Sequence, residues 1–430
     1  MTWRNWTGDQ ECHPAETIVP SDRDELAAAV VRVGERGLTV RVAGAGHSFT
    51  PAVLTDGLLV SLVRMNRVLH VDESSGSVRV EAGITLHDLN ERLDQHGRAL
   101  ENLGDIDVQS VAGATATGTH GTGARLRNLS AAIHSLELML GDGSIVELDE
   151  AGDPDGWRAA RVGIGALGIV TSVTLRTVPA FTLEARDEPK PLAEVLDSLD
   201  SYADSNDHFE FYSFPHSTLA NVRVNNRVDG PPRPRSKMKA WVAEELLVNG
   251  LYGWTRRIGR RFPATIPTLN RIAARAWGSS HRVDRSYSVF ASPRKVRFTE
   301  MEYAIPRRHA VPAIKAVRSV ADRRDLNVSF PIEVRFVAPD DAFLSPAGGR
   351  DTCYIAVHVY EGMGWRRYFE EVEAIMDGFE GRPHWGKRHF QTADTLRPRY
   401  PGWDRFATVR DRLDPNRRFT NDYIKQVLGP

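Results

Sequence analysis

Cysteine is nearly absent from this sequence: Cys12 and Cys353 are the only two in 430 residues. Two thiols build neither a zinc ribbon, an iron–sulfur cluster nor a disulfide framework, and no metal ligand set is expected. Net charge is lacking too. Lys plus Arg is 55 and Asp plus Glu is 56, a formal net charge of −1. No global field therefore points at nucleic acid, and no such partner is expected. Long hydrophobic runs are missing: the longest mostly apolar stretch, Val162 to Leu175, is broken by Gly, Ser and Thr. It falls short of the ~20 residues that a spanning helix needs. Residues Met1 to Trp6 offer no apolar core for export, so a reduced, cytoplasmic protein is expected. What is present is 41% hydrophobic and 26% charged residues, the composition of a globular chain with room for two domains.

The first third mixes helices with short strands. Ser21 and Asp24 resemble a capping box that opens an amphipathic helix from Asp22 to Glu35, and Gly37 stops it. Thr39 to Val42 reads as a strand that runs straight into Gly44-Ala45-Gly46-His47-Ser48. Leu58 to Val63 is a second apolar run. Val68–Val71 and Ser77–Val80 form a hairpin pattern around Ser75-Gly76, and Ile133–Leu140 and Ser144–Leu148 form another around Asp142-Gly143. Between them Thr85 to Gln95 has helical period and ends at Gly97. Such alternation predicts an α+β fold rather than a doubly wound parallel sheet.

Beyond Ala180 the composition changes. Residues 227–285 hold thirteen Lys or Arg against four Asp or Glu, after a proline-rich start at Pro231-Pro232-Arg233-Pro234. Trp241 to Trp254 reads as an apolar helical stretch flanked by Lys237, Lys239, Arg256 and Arg257. A solvated helical arm explains this segment; peripheral contact with an anionic membrane or a redox partner is the sharper alternative.

Two glycine clusters carry the strongest signal: Ala43 to Ser48, and Gly113 to Gly123. Glycine lets backbone N–H groups approach an anion closely. Neither cluster is a Walker loop, since no Gly-Lys-Ser/Thr follows, and the first lacks the third glycine of a dinucleotide fingerprint. A single such loop is usually a tight turn. Two of them about 70 positions apart favour one large anionic ligand.

Taken together, Gly44-Ala45-Gly46-His47-Ser48-Phe49, Asn102-Leu103-Gly104, Val111-Ala112-Gly113, Gly118 to Gly123 and Gly165 to Val170 resemble the FAD-binding domain of vanillyl-alcohol-oxidase-type (PCMH) flavoproteins. Phe330 to Arg335, Leu344-Ser345-Pro346, Gly349 to Thr352 and Arg382 to Lys387 narrow the resemblance to the sugar-1,4-lactone oxidoreductases. That group comprises L-gulono-1,4-lactone oxidases and dehydrogenases and D-arabinono-1,4-lactone oxidases, with alditol oxidases as near relatives. The resemblance runs from about Thr17 to Leu428 and is weakest in the basic arm. It implies a two-subdomain FAD domain over residues 1–180 with a returning segment 388–430. A cap with a large antiparallel sheet then spans 181–387.

The resemblance also implies roles. FAD would contact Ala43, Gly44, Ala45, Gly46, His47, Ser48, Gly104, Asp105, Ser110, Gly113, Thr117, Gly118, Thr119, His120, Gly168 and Ile169. His47 occupies the position that often carries a covalent flavin bond, for which a neutral imidazole is the right nucleophile. His120 is expected to serve the glycine loop rather than the chemistry. Glu333 and Arg335, i and i+2 on a strand, share a face. In this family such a pair binds substrate and stabilises charge growing on the flavin. Without the resemblance, the pair would read as sheet-surface decoration. Lys387 is the second cation of that set. His358 shares a strand face with Tyr354 and Ala356 and is a candidate hydroxyl ligand or base, although a lone strand histidine is more often structural. Alditol oxidases place a histidine where this chain has Ala356, which favours a lactone over an open-chain polyol.

The implied activity is FAD-dependent oxidation of L-gulono-1,4-lactone or a related aldonolactone to an ascorbate-type product. Reoxidation would be by oxygen, for which Gly104 leaves a path, or by a cytochrome- or quinone-type acceptor. The rival readings are an alditol oxidase, a membrane-associated flavoprotein acting on a lipid-linked pentose, and a flavin-bearing binding or electron-carrier protein.

Overall fold

The computed structural model describes residues 2–234, 252–292 and 296–430. The apolar stretch Trp241 to Trp254 lies almost wholly outside the described residues. The first helix spans Arg23–Glu35 and buries Leu26, Ala29, Val30 and Val33. Its cap differs from the expected one. Asp22, not Ser21, accepts the Glu25 N–H at 2.9 Å, while Glu25 reaches back to the Ser21 N–H at 2.8 Å. The cap thus sits one position further on, because a carboxylate caps as well as a hydroxyl.

Strands Glu16–Ile18, Leu58–Ser61 and Val40–Ala43 make a small parallel sheet. The two expected hairpins are antiparallel and are joined through Ile169–Arg176 into a five-stranded sheet. Gly76 and Gly143 have φ of +69° and +81°, the left-handed backbone that their tight turns need. Parallel and antiparallel sheets with helices between them make the fold α+β.

All eight strands of the largest sheet lie between Thr182 and Pro383, and every pairing in it is antiparallel. One face carries Phe209, Phe211, Val334, Phe336, Ile355, Val357 and Met301 against helices Ala310–Ala321 and Arg366–Asp377. The alternate residues of the same strands are mostly ionisable yet also buried. The C-terminal segment returns to the first part of the chain. Asn421 Nδ2 donates to Pro51 O and Leu54 O, and the buried Arg41 guanidinium donates to Ala52, Ile164, Gly165 and Phe419 carbonyls at 2.7–3.0 Å.

Candidate functional site

The first glycine cluster follows strand Val40–Ala43, and the second begins within helix Val111–Ala116. They meet. A Cβ on Gly44 would lie 2.7 Å from Ser110 Oγ, and one on Gly113 would lie 3.0 Å from the same atom. Glycine permits this close approach. Between and beside them is a cavity of about 370 Å³ lined by Ala43 to Ser48, Ser110, Gly113, Thr117 and Gly168, as the sequence suggested. Arg41, Thr50, Ser61, Val63, Thr85, Val108 and Gln109 also line it and were not anticipated, because none belongs to a glycine motif. Val63 and Val108 are 57% and 45% exposed, apolar surface that a ring-bearing ligand would cover.

The remaining expected FAD contacts do not line this cavity. Ile169 is packed into the core beneath it. Gly104 backs onto the next loop, where a Cβ would stand 3.3 Å from His120 O. Gly118 abuts Pro346. Thr119 holds Leu129 N–H through its carbonyl at 3.1 Å. The second cluster therefore divides its work: its start lines the cavity, and its end docks on the large sheet. There Gly123 N–H donates to Phe336 O at 2.7 Å, and Phe336 N–H donates to Thr122 Oγ1 at 3.2 Å.

His47 sits at the cavity rim with its ring stacked on Trp6, centroids 5.1 Å apart. Burial, then the nearby Lys387 cation, push its pKa down to about 4. The imidazole is neutral at neutral pH. That same Lys387 links the rim to the ionisable face of the large sheet.

Cross-strand register builds that face in rows. Arg223, Glu210, Arg335 and Tyr354 are successive partners, as are Tyr212, Glu333, Ala356 and Glu302, and His358 faces Glu300. Arg335 is the hub. It pairs with Glu333, donates through Nε to Glu210 at 3.0 Å, and reaches Asp105 at 3.5 Å. Tyr212 OH donates to Glu333 at 2.9 Å. Burial raises the Glu333 pKa above the usual carboxylate range. For Arg335 burial acts downward, but Glu333, Asp105 and Glu210 outweigh it and keep the guanidinium charged. Asp105 thus faces the sheet cation, not the cavity.

Lys387 is bonded to Glu300 and lies 5.3 Å from the Phe49 ring centre. His358 Nε2 is 3.4 Å from Glu300 and 3.9 Å from Glu333. His120 has two contacts through its ring nitrogens. Its Nδ1 does hold the loop, at 2.8 Å from Gly121 O, but its Nε2 faces Glu302 at 3.3 Å and its ring stacks on Tyr354. Sequence reasoning missed Glu210, Tyr212, Glu300 and Glu302. The available signal was the i, i+2 spacing of each pair on an apolar strand, which places both members on the apolar neighbours' opposite face.

His120, Glu302 and His384 bring three ligand atoms within 4.8 Å of one another. The lone pairs do not suit an ion. His384 Nδ1 accepts the Gly386 N–H at 3.0 Å, which leaves the proton of the neutral ring on Nε2. Burial holds that ring neutral, its pKa lowered to about 3.

Residues 173–427 match the D-arabinono-1,4-lactone oxidase family, and residues 14–149 match an FAD binding domain. The chain is 52% identical to L-gulono-1,4-lactone dehydrogenase of Mycobacterium tuberculosis, covering 100% of this chain and 99% of that one. It is 33% identical to L-gulonolactone oxidase of Bos taurus, over 100% and 98% of the two chains. Alditol oxidase of a Streptomyces species is 30% identical, over 99% and 98%. A solvent-stable cholesterol oxidase shares the fold, with a TM-score of 0.82 at 18% identity over 100% of this chain and 97% of that one.

Proposed function

The chain belongs to the D-arabinono-1,4-lactone oxidase family, and from that premise we propose the roles that its residues play in the family's chemistry. It is an FAD-dependent oxidoreductase of sugar-1,4-lactones, with L-gulono-1,4-lactone or a close aldonolactone as substrate. The observation that carries the assignment of roles is the meeting of the glycine-lined cavity with a buried face of Glu333, Arg335, His358 and Lys387, joined through Lys387 and His47.

Bound FAD supplies the hydride acceptor, taking hydrogen from the carbon that bears the reacting hydroxyl. Ala43 to Ser48, Ser110, Gly113, Thr117 and Gly168 hold its phosphates and rings by backbone approach. His47, neutral and steadied by Trp6, is the residue that attaches it covalently. Glu333 accepts hydrogen bonds from the sugar hydroxyls. Arg335 and Lys387 are pre-organised cations that stabilise negative charge as it develops. The division of labour follows the chain: 1–180 with 388–430 for the cofactor, 181–387 for the lactone.

Anaerobic mixing with lactones and polyols, watching the oxidised flavin band, tests the substrate class. Bleaching by L-gulono-1,4-lactone is expected, and bleaching by xylitol alone would favour an alditol oxidase. Intact-chain mass after denaturation tests the His47 bond: an unmodified chain with all FAD released rules it out. Oxygen is the first acceptor to examine on the family resemblance, which gives Gly104 as its path, although Gly104 is absent from the cavity lining. Reduced Gly104→Ala enzyme should reoxidise more slowly in air than wild type. Equal rates would leave a cytochrome- or quinone-type acceptor.

No helix among the described residues is long and apolar enough to cross a membrane. Peripheral contact through segment 227–285 is supported by exposed Arg257, Arg260, Arg261, Arg271 and Arg275 around Phe262 and Ile272, which are 56% and 54% exposed. Co-sedimentation with anionic but not neutral vesicles is the expected result.

A further inference from the structure

Lys387 and His358 come from separate parts of the chain, yet one carboxylate holds both. Glu300, on strand Phe298–Pro306, is bonded to Lys387 Nζ through Oε2 and faces His358 Nε2 through Oε1 at 3.4 Å. The register fixes this, since Glu300 is the direct cross-strand partner of His358. Glu300 is buried, with 5% of its surface exposed. His358 is wedged between Phe298 and Phe330, ring centres 5.1 and 5.9 Å away, and its buried Nδ1 has no hydrogen-bond partner. A buried ring nitrogen without a partner is costly and calls for an explanation, and a ligand that completes the bonding supplies one here.

We infer that Glu300 is a positioning residue for the lactone reaction: it keeps Lys387 charged and holds His358 with its proton on Nε2, so that the Nδ1 lone pair takes the substrate hydroxyl proton. This rests on the lactone-oxidising reading above. The atoms balance. The carbon loses a hydride, with two electrons, to FAD, the oxygen loses its proton to His358, and the C–O bond becomes a carbonyl. A carboxylate that fixes the tautomer of an imidazole base without itself being protonated is the logic of the Ser-His-Asp triad.

The charged groups that face His358 are Glu300, Glu333 and Lys387. Burial lowers the His358 pKa, but Glu300 and Glu333 outweigh it and leave it raised. Burial likewise lowers that of Lys387, and Glu300 with Glu302 raises it above its ordinary value. The reaction needs His358 neutral and Lys387 charged, so anaerobic flavin reduction should rise with pH through the first group and fall through the second. Glu300→Gln removes the anion that supports both cations. Both limbs should then move to lower pH, by about one unit each, with the KM for lactone little changed.

A purely structural Glu300 would cost stability without moving either limb. Limbs that stay in place, or that move in opposite directions, overturn the inference. Should Glu300→Gln not hold FAD, nitrogen NMR of wild-type holoenzyme carrying labelled histidine decides, with His358→Gln for assignment. A proton on Nε2 and a bare Nδ1 above the acid limb are expected, and a proton on Nδ1 overturns it. If no lactone reduces the wild-type flavin, the substrate reading falls, and the NMR result still judges the tautomer on its own.

Discussion

The glycine-lined cavity and the ionisable face of the large sheet differ in what they are made of. The cavity is built from backbone and small side chains: Ala43 to Ser48, Ser110, Gly113 and Thr117 hold no cation. The face is built from long charged side chains contributed by strands His208–Ser213, Ile332–Val337, Thr352–Tyr360 and Phe298–Pro306. A cofactor that stays bound needs close approach and shape. A reacting sugar needs charges held out of water, where each is stronger and each unpaired one is expensive. Hence the cations of the face are paired with carboxylates, Lys387 with Glu300 and Arg335 with Glu333, Glu210 and Asp105.

The sharpest way to separate the two regions is Arg335→Ala. Flavin reduction by lactone should fall about 100- to 1000-fold, the usual loss for one pre-organised charge donor. FAD content should remain near wild type, because Arg335 is absent from the cavity lining. Stopped-flow reduction beside a flavin-to-protein absorbance ratio checks both halves. The converse variant is Gly44→Val. Its side chain would collide with Ser110 Oγ, and FAD should bind about ten- to a hundredfold more weakly if overpacking takes its usual ~1–3 kcal/mol. Titration of apoprotein with FAD in a His47→Ala background, followed by tryptophan fluorescence, reads this. Reduction of the loaded fraction should be near normal.

The same contrast governs what the sequence revealed. The cavity was legible because its parts are contiguous: a strand followed by glycines is a local pattern, and the hairpins flanking it are local too. The face was half legible. Glu333, Arg335 and Lys387 were recognisable by family resemblance and His358 by its place on a strand face, whereas Glu210, Glu300 and Glu302 matter only through the register of strands far apart in the chain. Some motif residues also carry packing. Leu344-Ser345-Pro346 is a docking loop, in which Leu344 O accepts the Trp385 indole N–H at 2.6 Å and Ser345 Oγ donates to Asp340. Gly118 approaches Pro346 of that loop and is absent from the cavity lining.

Arg41 lies between the two kinds of construction. It lines the cavity, but its guanidinium is spent on four backbone carbonyls that pin the returning segment near Phe419. Arg41→Met should destabilise the holoenzyme by about 2–4 kcal/mol, since several buried acceptors lose a charged donor. Urea unfolding checks this. An unchanged midpoint would make the arginine a ligand contact rather than a tie.

The smallest effect expected concerns acid. His389 lies on the returning segment, with Nε2 2.8 Å from Tyr423 OH and Nδ1 buried without a partner. Burial lowers its pKa to about 3. The folded protein therefore refuses a proton that the unfolded chain accepts near the ordinary histidine value of about 6.5. With the folded value depressed, the stability it contributes is present above pH ~6.5 and is lost as pH falls toward 3. Between pH 7 and 5.5 that loss amounts to about 1 kcal/mol from this one group. His389→Gln keeps an amide to meet Tyr423 and removes the titration. Its unfolding free energy should fall less than that of wild type over the same interval, whatever its stability at pH 7. Parallel curves for the two proteins would mean that His389 gains a proton while folded. The acid sensitivity would then lie with the other buried histidines, His208 and His384, whose pKa values burial lowers to about 4 and about 3.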